Sequence, residues 1–91
     1  MATGPGRYRV ILSNSARKQL AAHPRDVQER IAPAITALAD EPRPQGSQKL
    51  KGPSGEHRIR VGEYRIVYAI NDDDLLVGVT RVGHRRDVYR P

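Results

Sequence analysis

Ninety-one residues with a net charge of +6, no cysteine, no tryptophan and no phenylalanine allow one domain, residues 1–91, with one small core. This excludes a disulfide framework and a cysteine-based metal site. His23, His57 and His84 lack ligand spacing, so no metal and no other cofactor is expected. No apolar run approaches the ~18 residues that cross a bilayer, and residues 1–6 are Gly/Pro-rich without a signal-peptide apolar region. A cytoplasmic chain with a flexible start and no membrane partner is expected.

Residues 8–12 (YRVIL) make a short first strand. Ser13, Asn14 and Ser15 offer an N-cap for a helix over 16–22, which His23-Pro24 ends because the residue before proline avoids helical dihedrals. Asp26 is placed to cap a second helix, with Glu29 three residues on in capping-box position. Val27, Ile31, Ala34, Ile35 and Leu38 recur at helical spacing and give one apolar stripe. Pro33 falls inside that stripe and is expected to kink or interrupt the helix.

A connector, EPRPQG over 41–46, follows. From Gln48 the period changes to two, and residues 48–51, 56–61, 64–70 and 75–82 read as successive strands. Residues 52–55 are a turn, Gly62-Glu63 is a two-residue hairpin loop of the Gly-X kind, and 71–74 is a polar loop. The expected fold is α+β. An N-terminal strand and a helical hairpin pack on one face of an antiparallel β-sheet, in the order β-α-α-β-β-β-β.

The loops set the register. With Gly62-Glu63 as the turn, Val61 faces Tyr64, Arg60 faces Arg65, Ile59 faces Ile66 and Arg58 faces Val67. With 71–74 as the next loop, Ile70 faces Leu75, Tyr68 faces Val77, Ile66 faces Val79 and Arg65 faces Thr80. One face then carries Ile59, Val61, Tyr64, Ile66, Tyr68, Ile70, Leu75, Val77 and Val79 and meets the helices. The other carries Arg58, Arg60 and Arg65, with Gly78 opposite Val67 leaving a shallow spot. No acid on that face offsets the arginines. Arg60 and Arg65 are direct cross-strand neighbours, and like charges so placed cost a few tenths to about 1 kcal/mol. A sequence that tolerates this presents a guanidinium pair to an anion. Just past the last strand stand Gly83, His84, Arg85, Arg86, Asp87, Val88 and Tyr89. A group titrating near neutral pH, fixed cations and a phenol together suit the handling of a phosphodiester. His57, Lys49 and Lys51 are expected at the approaches to this surface. The basic residues concentrate in the second half of the chain, which suits a polyanionic partner such as nucleic acid.

Four segments resemble the RelE/ParE toxin superfamily, and within it the RelE-like mRNA interferases of type II toxin–antitoxin systems. Residues 13–20 resemble the family's early helix, and QKLKG at 48–52 its KLxG strand. YRIVYAI at 64–70 resembles its YRxxY strand, and VGHRRDVYR at 82–90 its C-terminal motif. The resemblance spans residues 8–90. It implies an endoribonuclease that cleaves mRNA in the ribosomal A site without a metal and is neutralised by a cognate antitoxin in a hetero-oligomer. It implies catalytic roles for Arg58, Arg60, Arg65, His84, Arg85 and Tyr89; the basic residues around them, Lys49, Lys51, Arg81 and Arg86, are expected to contact the RNA. The best-known relatives carry lysine where Arg58 and Arg60 stand. Arginine stays protonated and cannot act as general base, which leaves that duty to Tyr89 or His84. A ParE-like toxin that binds DNA gyrase without chemistry, and a plain nucleic-acid-binding module, are the alternatives. Few aromatic residues interleave with the basic ones, against a single-strand stacking platform.

Overall fold

Hairpin chemistry and two helix starts organise the chain. The computed structural model describes residues 7–52, 55–84 and 86. Its elements are β1 (Arg9–Leu12), α1 (Asn14–Ala22), α2 (Arg25–Ala37), β2 (Gln48–Lys49), β3 (Glu56–Val61), β4 (Tyr64–Asn71) and β5 (Leu76–His84). The five strands form one sheet in the order β1-β5-β4-β3-β2. The α+β arrangement is as expected, with one difference: β1 pairs parallel with β5. The two helices between β1 and the rest of the sheet allow that crossover.

Ser13 caps α1, its hydroxyl accepting from Ala16 N at 3.0 Å. The second helix starts differently from the expected Asp26 cap. Pro24 holds the cap position with φ −57°, no side chain caps the helix, and Asp26 sits in the first turn. There its charge still complements the helix dipole. Pro33 lies within α2, which runs on to Ala37. Its ring is on the exposed side, so the apolar stripe is unbroken.

That stripe, Val27, Ile31, Ile35 and Leu38, packs with Ala16 of α1 on Ile59, Ile66, Tyr68, Val77, Val79 and Val82 of the sheet. Full burial of each such aliphatic side chain contributes about 1.5–3 kcal/mol. The Tyr68 hydroxyl donates to Pro42 O at 2.7 Å, which satisfies the one polar atom of this central ring. Among the described residues no helix is long and apolar enough to cross a membrane.

The β3–β4 register is the expected one: Arg58↔Val67, Ile59↔Ile66, Arg60↔Arg65 and Val61↔Tyr64. Gly62, at φ 60°, takes the left-handed position that a Gly-X hairpin needs. The β4–β5 register is not the expected one. The loop includes Leu75, which adopts φ 52°, and the pairs become Ile70↔Val77, Ala69↔Gly78 and Tyr68↔Val79. That two-residue shift keeps every side chain on its expected face. A bulge at Thr80 then moves the pairing by one, to Val67↔Arg81, Ile66↔Val82, Arg65↔Gly83 and Tyr64↔His84. Arg65 therefore faces Gly83 rather than Thr80. One extra residue exchanges the faces beyond it. Val82 enters the core at 1% exposure, and its N–H donates to Gln19 Oε1 of α1 at 2.8 Å.

Candidate active site

The face of the sheet turned away from the helices carries four arginines in two adjacent cross-strand rows. One row is Arg58–Val67–Arg81 and the next is Arg60–Arg65–Gly83. Arg60 and Arg81 are exposed, whereas Arg58 and Arg65 are only 8% and 9% exposed. The Gln48 side-chain carbonyl accepts from Arg58 Nη2, and β2 pairs Gln48 directly with Arg58. A buried guanidinium meets an anion with far less solvent screening than an exposed one. Burial is also costly for the fold, so two arginines held this way beside a like-charged neighbour fit a preorganised anion site.

The expected site residues divide into three groups. Arg58, Arg60, Arg65 and Arg81 share the cationic face. Arg81 reaches it through the Thr80 bulge. His84 stands on the opposite, helix-side face. It pairs with Tyr64, with ring centroids 5.6 Å apart, and its Nε2 is 3.8 Å from Glu63 Oε1. Tyr64 in turn meets His23, at the end of α1, edge-on at 5.0 Å. Arg86 is exposed, and its N–H donates to His84 Nδ1 at 3.3 Å. Arg85 and Tyr89 lie outside the described residues.

The basic approaches are also rearranged. His57 lies on the helix side, 9% exposed and stacked on Tyr68 at 5.8 Å. Burial, and secondarily the Arg43 charge, hold its imidazolium pKa below the ordinary value. Lys49 pairs with His57 rather than with an arginine, and is exposed at the sheet edge. Lys51 is exposed beyond the end of β2, which stops at Lys49 rather than 51. Among the described residues no group of three or more His, Asp or Glu is placed to hold a metal ion.

The cationic face also carries an acid that the expected face did not include, and a threonine expected there has a different partner. Glu56 stands two residues before Arg58 on the same side of β3, so an acid is present there after all. Thr80, the bulge residue, donates its hydroxyl to Glu56 Oε2 at 3.1 Å, with Val67 O at 3.3 Å as a second acceptor. The alternation of β3 was enough to find Glu56. Thr80 is expected on this face opposite Arg65; as the bulge residue it meets Glu56 instead.

The model for ParE toxins of type II toxin–antitoxin systems, parDE, matches residues 10–89. This chain belongs to the RelE/ParE toxin superfamily. It is 33% identical over 84 residues to Toxin RelG of Mycobacterium tuberculosis H37Rv, covering 91% of this chain and 97% of that protein. Its fold is similar to that of the archaeal RelE–RelB complex from Pyrococcus horikoshii OT3, with a TM-score of 0.78 and 27% identity over 89% of this chain and 98% of that one. The RelBE2 toxin–antitoxin complex of Mycobacterium tuberculosis gives 0.77 and 28% over 90% of this chain and all of that one (100%). Within this superfamily fold, the arginine rows occupy the sheet face that the two helices leave open.

Proposed function

We propose that this toxin is an endoribonuclease that cleaves mRNA, presented in the ribosomal A site, by attack of the 2′-oxygen on the adjacent phosphorus. The observation that carries the reading is the pair of arginine rows on one face, with Arg58 and Arg65 buried. The new bond is 2′-O–P and the broken bond is P–O5′, which leaves a 2′,3′-cyclic phosphate and a 5′-hydroxyl. One proton leaves the 2′-hydroxyl and one reaches the departing 5′-oxygen. Arg58, Arg60, Arg65 and Arg81 stabilise charge on the phosphate oxygens as it develops, a task that fixed guanidinium donors perform without a metal. We assign Arg85 to the same charge cluster and Tyr89 to proton transfer or base stacking, on the match to the C-terminal motif. His84 is the second proton candidate, and its helix-side position ranks it below Tyr89. The 2′-hydroxyl restricts the reaction to RNA.

We further assign a cognate antitoxin as the partner, as in the RelE–RelB complexes of similar fold. Beyond Arg58, β3 has no described strand on its outer side. A groove of about 470 Å³ lies there, with Ala34, Ala37, Ile59 and Arg60 among its walls. An open strand edge beside apolar side chains suits an added peptide segment.

The ParE description of the matching family favours a second reading, in which the toxin binds DNA gyrase and performs no chemistry. Two assays on the same preparation separate them. Programmed ribosomes with end-labelled mRNA should yield a cyclic phosphate end, and gyrase supercoiling should be unaffected. Intact mRNA with inhibited supercoiling would replace the first reading by the second.

A further inference from the structure

The outer edge of β5 changes its support in the middle of the strand. β1 covers that edge only as far as Leu12, opposite Val79. Beyond it no strand pairs there among the described residues, and α1 takes over. The N-cap and the helix hold three points in succession. The Ser13 N–H donates to Val79 O at 2.9 Å, and the Ser13 hydroxyl donates to Thr80 O at 3.5 Å. Gln19 Oε1 then accepts from the Val82 N–H at 2.8 Å. These points straddle the bulge, and Arg81 stands between the last two. Strand amides alternate in direction from residue to residue. The one-residue insertion that exchanges the faces therefore also turns the Val82 N–H outward, away from β4. In an unbulged strand that N–H would point at β4, so Gln19 bonds the bulged strand specifically.

We infer that Gln19 is a positioning residue for the reaction, one that acts through the bulge on Arg81. The inference rests on the endoribonuclease reading above, to which it adds the helix residue that sets one of the cations. Gln19 belongs to α1, on the other side of the sheet from the arginine rows. Its effect on cleavage therefore travels through β5. Val82 is 1% exposed, so water is a poor substitute for the Gln19 carbonyl. A buried N–H without a partner is costly, and β5 avoids that cost only by shifting its edge. Arg81 is the preceding residue and moves with it. The direction of Arg81 on the cationic face thus depends on an acceptor supplied from the opposite layer.

The experiment joins hydrogen exchange at the Val82 amide, followed by NMR, to single-turnover cleavage on programmed ribosomes. Gln19→Leu keeps the bulk of the side chain and removes the acceptor. The Val82 amide should then exchange about tenfold faster, the scale of one lost hydrogen bond. The cleavage rate at saturating toxin should fall about as far as in Arg81→Ala, roughly fivefold for an exposed cation, with the half-saturating concentration less affected. Gln19→Leu combined with Arg81→Ala should be no slower than Arg81→Ala alone, because both act through one guanidinium. Gln19→Glu retains an oxygen acceptor and should keep both readouts near wild type. If Gln19→Leu does not fold, Gln19→Ala, which favours the helix, carries the same comparison. A wild-type rate beside a faster Val82 amide makes the bond structural only and overturns the positioning role, as do losses that multiply in the double variant. An unchanged Val82 amide overturns the part of Gln19 in the bulge, whatever the activity. A wild-type chain that cuts no mRNA overturns the endoribonuclease reading instead, and the Val82 amide still tests the bond.

Discussion

Burial should decide how much each arginine matters. Arg60 and Arg65 are adjacent in one row, yet Arg65 is 9% exposed while Arg60 is exposed to solvent. A unit charge about 4 Å from a phosphoryl oxygen is worth roughly 4 kcal/mol at an effective dielectric of 20 and about 1 kcal/mol in bulk water. The growth of charge between ground and transition state uses only part of this. Loss of one preorganised donor typically lowers kcat by about 10²–10³-fold. Arg65→Ala should fall in that range, and Arg60→Ala should lose roughly fivefold, the water-like limit. Arg65→Lys should recover only part of the loss, because a planar fork becomes a point charge. The assay is single-turnover cleavage on programmed ribosomes, with circular dichroism melts confirming that each variant is folded. Equal losses from Arg60→Ala and Arg65→Ala would refute the role given to burial. A full rate for folded Arg65→Ala would remove that residue from the site.

Three further outcomes are expected. Tyr89→Phe keeps the ring and loses the hydroxyl, and should be slower than His84→Gln in single-turnover cleavage across pH; a dead His84→Gln beside an unaffected Tyr89→Phe would give the proton to the histidine. Val82→Asp should prevent folding while Arg81→Asp leaves the melting transition in place, since the bulge puts the valine in the core and the arginine outside. The depressed pKa of His57 means that the unfolded chain binds more protons, so stability should fall as pH drops below about 6.5, the ordinary histidine value. Thermal melts at acid and neutral pH should show a smaller pH difference in His57→Gln, and an unchanged difference would refute the assignment.

Turns that carry a chemical signature were readable, and those that do not were not. Gly62 announces a left-handed residue, so the β3–β4 register and the Arg60–Arg65 pair follow from the sequence. Leu75 adopts the same region of backbone space with no signature, because a leucine there is uncommon. The resulting error was even, two residues, and side-chain alternation absorbs an even error without moving any residue to the wrong face. The helices were readable from their stripe. Pro33 does not interrupt α2, which continues to Ala37 with the ring on its exposed side. Alternation also assigns Arg58 and Arg65 to a face but says nothing of their burial, which depends on the surrounding structure. Glu56 obeyed the same alternation as Arg58 and was overlooked on a face read as wholly basic.

The odd irregularity at Thr80 is the one with chemical consequences. In an unbulged β5, residues 78, 80, 82 and 84 would share the cationic face, and Arg81 would point at the helices. Val82 would then leave the core and His84 would stand beside the arginines. The bulge reverses both. It sends Val82 under α1, sets His84 against Tyr64, and adds Arg81 to the row of Arg58. The same residue supplies the hydroxyl that holds Glu56. One inserted threonine thus puts Arg81 rather than His84 on this face, and it also orients the acid at the face's border. A phosphate site made only of arginines is charged at every physiological pH but has no base of its own. On the proposed assignment a group other than these arginines takes the proton, and Tyr89→Phe is the substitution that tests whether the tyrosine hydroxyl is that group.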